Sequence, residues 1–138
     1  MAEYGAGTRD AIAAGPHLLQ GGRAIPLQRA LAAEGGKGPR TAFGLSADRR
    51  RAWIVIIDGR QKGYSMGADN NALVALFRSL GASDAMSFDG GGSSTLAVAE
   101  GTGAAVLNRP MHTAVPGWER PVANALLVFA APLSATKR

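Results

Sequence analysis

Residues 69–95, DNNALVALFRSLGASDAMSFDGGGSST, run through a helix, a strand and a glycine loop without interruption. Leu73, Leu76, Phe77 and Leu80 fall at i, i+3, i+4 and i+7, which puts them on one helical face and predicts a helix over about 69–80. Asp69 or Asn70 suits the N-cap, and Gly81 suits a left-handed C-terminus. SDAMSFD then reads as a short strand ending on Asp89. Gly90, Gly91 and Gly92 follow it. Glycines after a strand allow dihedrals closed to other residues, and they leave the main chain bare enough for a ligand to lie on it. Successive N–H groups can cup an anionic oxygen, and the hydroxyls of Ser93 and Ser94 add donors. A plain tight turn, with Asp89 bonding the turn N–H groups, fits the same letters.

Outward from this stretch the chain is rich in strands. HLLQGGRAIPL, residues 17–27, reads as strand, tight turn, strand. Residues 29–40 open with a short helical turn and finish in a loop of Gly and Lys. Thr41–Ala47 and Ala52–Ile57 read as paired strands joined through Asp48-Arg49-Arg50. The second carries four consecutive β-branched residues, Ile54–Ile57, a run that suits a strand covered on both faces. Beyond the glycines, STLAVA and AAVLN form two more strands about a GTG turn, RPMHTAVPGWER is a loop, and PVANALLVFAA (121–131) is a final strand. The fold class is therefore α+β, a mixed and largely antiparallel sheet with one main helix. The chain reads as one domain, with residues 1–10 expected to be flexible.

Composition narrows the chemistry. The chain has 138 residues and no cysteine, so disulfides, thiolate metal sites and a cysteine nucleophile are excluded. Nineteen glycines, without a fixed period, mark turns and close backbone approaches. The net charge of +5 suits an anionic partner. Single-strand nucleic-acid binders interleave aromatics with their basic residues, whereas Asp48-Arg49-Arg50-Arg51 lies between two apolar segments and reads as a solvated turn. No nucleic-acid partner is expected. No apolar stretch approaches the ~20 residues of a membrane span, and the N-terminus lacks the basic-then-apolar pattern of a signal peptide.

Polar residues gather at strand ends. Asp58 ends WIVIID as Asp89 ends AMSFD; Asn108 ends AAVLN; Arg40 precedes TAFGL; Glu119 and Arg120 precede the last strand. If these ends meet, two or three carboxylates, an amide and arginines surround a glycine loop, a set suited to a sugar bearing negative charge. Each residue taken singly also suits a surface turn. A P-loop needs a lysine and a helix after its glycines, and a nucleophile elbow needs G-x-S-x-G; GGGSST followed by a strand supplies neither. His17 and His112 are the only histidines, and no histidine–carboxylate group has zinc-ligand spacing, so no metal or cofactor is expected.

Taken in order, PRTAFG, VIIDGRQKGYSMGA, LGASDAMSFDGGGSSTLAV, VLNRP and ERPVANALLVF resemble the phosphodiester glycosidase family, that of N-acetylglucosamine-1-phosphodiester α-N-acetylglucosaminidase. The resemblance runs from about Ala11 to about Phe129 and corresponds to the C-terminal part of the family's domain. The family's preceding segment, rich in Asn and Gly and ending in aromatics, has no counterpart in the chain. The resemblance implies a mixed α+β domain that hydrolyses a glycosyl phosphodiester of a glycan or cell-envelope material, often exported. Its motifs carry over Arg40, Asp58, Asp89, Gly90, Gly91, Gly92, Ser93, Ser94, Asn108, Glu119 and Arg120. Chemistry then suggests Asp89 as nucleophile or base with Glu119 or Asp58 beside it, arginines 40 and 120 on the phosphate, and the loop's N–H and hydroxyl groups on its other oxygens. The alternative is a non-catalytic module that binds an acidic glycan or sugar phosphate. An incomplete sheet would expose an edge, through which a homodimer is expected.

Overall fold

The computed structural model describes residue 7 and residues 11–26 and 36–130. The helical turn expected near 29–35, and most of the flexible stretch expected at 1–10, lie outside the described residues. Five strands form the main sheet: β1 (His17–Gln20), β2 (Arg23–Ala24), β3 (Arg40–Leu45), β4 (Ala52–Ile57) and β5 (Asp84–Ser87). Their spatial order is β2-β1-β5-β3-β4, and every pairing is antiparallel. Two small hairpins follow, β6 (Ala97–Glu100) with β7 (Gly103–Val106), and β8 (Met111–His112) with β9 (Val115–Pro116). The α+β reading holds, and the sheet is antiparallel throughout its described pairings.

The α-helix of the described residues, α1 (Asn70–Ser79), lies where its periodicity put it. Asp69 caps it by accepting the N–H of Ala72 at 2.8 Å, and Gly81 ends it at φ +79°. Leu73 and Phe77 are fully buried, with Leu76 and Leu80 half-buried beside them. They pack on Leu18, Leu19, Ala42 and Ala85 from the sheet's central strands, flanked by Trp53, Val55 and Ile57 of β4. Burying each large side chain contributes about 1.5–3 kcal/mol. Gly44 makes the contact close: a Cβ there would lie 2.6 Å from the Phe77 ring.

Two strand expectations are corrected. The β-branched run of β4 is not covered on both faces: β4 is an edge strand among the described residues, and Ile54 is half-exposed. Pro121–Ala130 of the expected last strand has no strand partner and is irregular, with Phe129 91% exposed. A strand is stable only with a neighbouring backbone to bond, and among the described residues no strand pairs with this segment. Its alternation persists all the same. Leu126 and Val128 join Ile12, Phe43, Ala52, Met86 and Phe88 around an apolar hollow of about 510 Å³ on the sheet face away from α1. RPMHTAVPGWER, read as a loop, holds the β8–β9 hairpin. Thr113 and Ala114 turn it at φ +47° and +61° without the glycine or asparagine that signals such a turn. No helix among the described residues is long and apolar enough to cross a membrane.

Candidate active site at the glycine triplet

Phe88 donates its N–H to Thr41 O at 2.8 Å, and the chain then leaves the sheet at Asp89. Gly91–Ser93 makes one 3₁₀ turn. The triplet is crowded rather than bare. A Cβ on Gly90 would stand 2.7 Å from Pro39 O and 3.4 Å from Arg40 Nη1. On Gly91, at φ +61°, it would stand 3.3 Å from Arg60 Nη1. On Gly92 it would stand 3.2 Å from both Met111 O and Arg120 Cδ. The missing side chains thus admit three arginines from three separate segments, one against each glycine. The Gly91 N–H is spent on Pro39 O at 2.9 Å, so the triplet does not present three free amides to a ligand.

The loop after β4 is drawn in by the same device. A Cβ on Gly59 would lie 2.5 Å from Gly38 C and Pro39 N, and one on Gly67 would collide with Gly38 O. Gly38 and Ala68 exchange backbone hydrogen bonds at 3.2 and 3.0 Å. Arg40 fastens this junction. Its Nε donates to Ala68 O and its Nη2 to Gly36 O, both at 3.0 Å. The exposed guanidiniums of Arg60 and Arg120 have no hydrogen-bond or carboxylate partner among the described residues. The one ion pair found there, Arg49–Asp84 at 3.2 Å, involves the turn after β3. Arg60 and Arg120 thus bring positive charge beside the glycine loop without a close ion pair among the described residues, a setting that favours an anion.

The two strand-end aspartates differ. Asp89 is exposed, and among the described residues its Oδ2 accepts only the Ser93 hydroxyl, at 2.7 Å. Asp58 is half-buried and heavily bonded. It accepts from Asn108 Nδ2 at 2.9 Å, from the Tyr64 hydroxyl at 3.0 Å, and from the Arg109 N–H at 3.0 Å on both oxygens. The Tyr64 bond to Asp58, helped by the carboxylate's charge, raises the phenol's pKa. Asn108 ties three segments together. Besides Asp58 it donates to Ser94 O at 2.8 Å, and its Oδ1 accepts the Leu96 N–H at 2.7 Å. Ser94 is buried and its hydroxyl accepts from Thr41 at 3.1 Å, which directs it to the sheet. Glu119 is exposed beside Arg120 and makes no hydrogen bond or ion pair among the described residues.

Asp58, Asp89, Asn108, Ser93, Ser94, the glycines, Arg40 and Arg120 are thus linked through one connected set of contacts, although Asn108 follows a hairpin outside the main sheet. Sequence reasoning missed Arg60, Gln61, Tyr64 and Arg109. Gln61 is buried and donates to Arg109 O at 2.8 Å, and the Arg109 guanidinium lies 5.4 Å over the Tyr64 ring. Their one local signal is that Arg60 directly follows the strand-end Asp58-Gly59. No group of three histidines or carboxylates that could hold a metal ion occurs among the described residues.

No curated protein matches this sequence. Among solved structures, the crystal structure of a hypothetical protein from Synechocystis is similar at 21% identity and a TM-score of 0.47, over 70% of this chain. The chain spans 17% of that protein's length. The sequence model of the phosphodiester glycosidase family matches residues 2–129, nearly the whole chain, and the chain belongs to that family.

Proposed function

We propose that the glycine-triplet site hydrolyses a glycosyl phosphodiester from glycan or envelope material. Water adds at the anomeric carbon, the bond from that carbon to the phosphate oxygen breaks, and a free sugar and a phosphomonoester leave. The observation that carries this reading is an exposed strand-end carboxylate, Asp89, on a loop flanked by Arg60 and Arg120, which have no carboxylate partner among the described residues. A phosphate ester departs as a stable anion and needs little protonation. The site's work is to hold the diester and to stabilise positive charge at the sugar. Asp89 attacks the anomeric carbon or takes the proton of the attacking water. Glu119, exposed and unengaged, is its nearest candidate partner in sequence. Asp58, whose lone pairs are filled by Tyr64, Asn108 and Arg109, acts in this reading as a positioning residue. Ser94 likewise holds the loop to β3, while Ser93 orients Asp89.

The test is release of sugar from UDP-glucose by the purified chain and by its Asp89→Asn variant. Turnover should fall by roughly 10²–10⁴-fold in the variant with its melting temperature unchanged. Equal turnover by the two proteins removes Asp89 from the chemistry. Binding without turnover by the unmodified chain reduces the site to a sugar-phosphate receptor.

A further inference from the structure

We infer that Arg60 is the principal phosphodiester-gripping residue of this site, a deepening that rests on the reading above. Arginine was expected on the phosphate, but at positions 40 and 120. Arg40 already gives its Nε and Nη2 hydrogens to the carbonyls of Ala68 and Gly36 and serves as a fastener. Arg60 lies beside two glycines, and its guanidinium makes no hydrogen bond among the described residues. Its Nη1, Nη2 and Cζ lie 3.3, 3.7 and 3.8 Å from where a Gly91 Cβ would be, and its Nε lies 3.5 Å from where a Gly38 Cβ would be. The guanidinium therefore rests against two glycines from two different loops. None of its five N–H donors meets an acceptor among the described residues, and the side chain is exposed.

Arg60 sits at φ +58°, in the left-handed region that disfavours side-chain-bearing residues. Glycine would fit there with less strain, as it does at the nearby Gly63 and Gly67. The Arg60 side chain is a planar fork that matches two oxygens of a phosphodiester monoanion. Arg120, packed along Gly92, borders the same loop and adds charge.

The probe is dimethyl phosphate, the anion without a sugar, titrated by NMR against the intact chain. Wild type should bind it and shift the Gly91 amide. Arg60→Gly should weaken binding at least tenfold while melting no lower than wild type, because glycine suits the backbone. Arg60→Lys, which keeps the charge and loses the fork, should weaken it at least threefold. Arg78→Gln, which removes an equal charge from the exposed face of α1, should stay within twofold of wild type. The inference is overturned by undiminished binding in Arg60→Gly, by an equal loss in Arg78→Gln, by unchanged binding in Arg60→Lys, or by no binding in wild type. Failure of the hydrolase reading looks different: dimethyl phosphate still binds through Arg60, and UDP-glucose is not turned over.

Discussion

Asp58 and Asp89 both end a strand before a glycine, in VIIDG and MSFDG, and the fold places them in different surroundings. Asp58 meets the corner at Asn108-Arg109 and fills its carboxylate with hydrogen bonds from three residues. Asp89 meets solvent and one serine. The difference comes from what approaches each strand end. The loop after β4 is pinned on Gly38 and receives the hairpin's exit, whereas the loop after β5 is flanked by Arg60 and Arg120, neither of which forms an ion pair among the described residues. A strand-end aspartate is thus a strut where another chain segment supplies N–H and hydroxyl donors, and stays open to solvent where its own loop supplies one hydroxyl.

The largest expected effect separates the two directly. Asp89→Asn should lower UDP-glucose turnover by roughly 10²–10⁴-fold with little change in stability. Asp58→Ala should do the reverse. It removes the acceptor shared by the half-buried Asn108 amide, the Arg109 N–H and the Tyr64 hydroxyl and should destabilise the fold by about 1 kcal/mol, read by urea unfolding. If Asp58→Ala melts like wild type, the strut assignment is lost.

Much of this was legible before any coordinates. The helix announced itself through a 3.6-residue period and a capping aspartate, and β3–β4 through two apolar runs about a polar turn. Those signals are local, and local physics decides them. The site was legible by type and not by arrangement. Asp89, Asn108 and the glycines stood out, but nothing near Arg60 says that its guanidinium will lie against Gly91, 31 residues on. The glycines were read as a bare surface for ligand because sequence shows only that side chains are missing; what fills the space is set by loops remote in the chain. Residues 121–130 misled for a related reason. Their alternation is that of a strand, yet a strand exists only where a partner edge is alongside.

A pair of glycines sharpens the comparison at smaller scale. Gly81 and Gly91 both adopt left-handed φ, +79° and +61°. A Cβ at Gly81 meets nothing within 4 Å, while one at Gly91 presses on Arg60. Alanine at either position should cost about 1 kcal/mol of stability from backbone strain alone. Only Gly91→Ala should also weaken dimethyl phosphate binding, by several-fold, since it displaces the guanidinium. Equal binding by the two alanine variants would mean that the Arg60–Gly91 contact has no part in the site.

The smallest effect belongs to a third aspartate, at the opposite end of β5 from Asp89. Asp84 accepts the Gly21 N–H at 3.2 Å and pairs with Arg49. The Gly21 hydrogen bond, more than Arg49, lowers its carboxyl below the ordinary 3.8, against the opposing effect of partial burial. A folded-state pKa below the unfolded one means that the charged form is favoured by folding. The stabilisation is therefore complete above pH 4 or so and is lost as pH falls through the lowered folded value. Arg49 is largely exposed, so the pair contributes no more than about 1 kcal/mol. Wild type should melt slightly above Asp84→Asn near neutral pH, and the gap should close as pH falls below the ordinary carboxylate range. Asp84 would then be a strut like Asp58, and Asp89 would stand apart as the aspartate whose loss is felt in chemistry. A gap that persists unchanged at pH 2 would show that the asparagine disturbs packing, not charge.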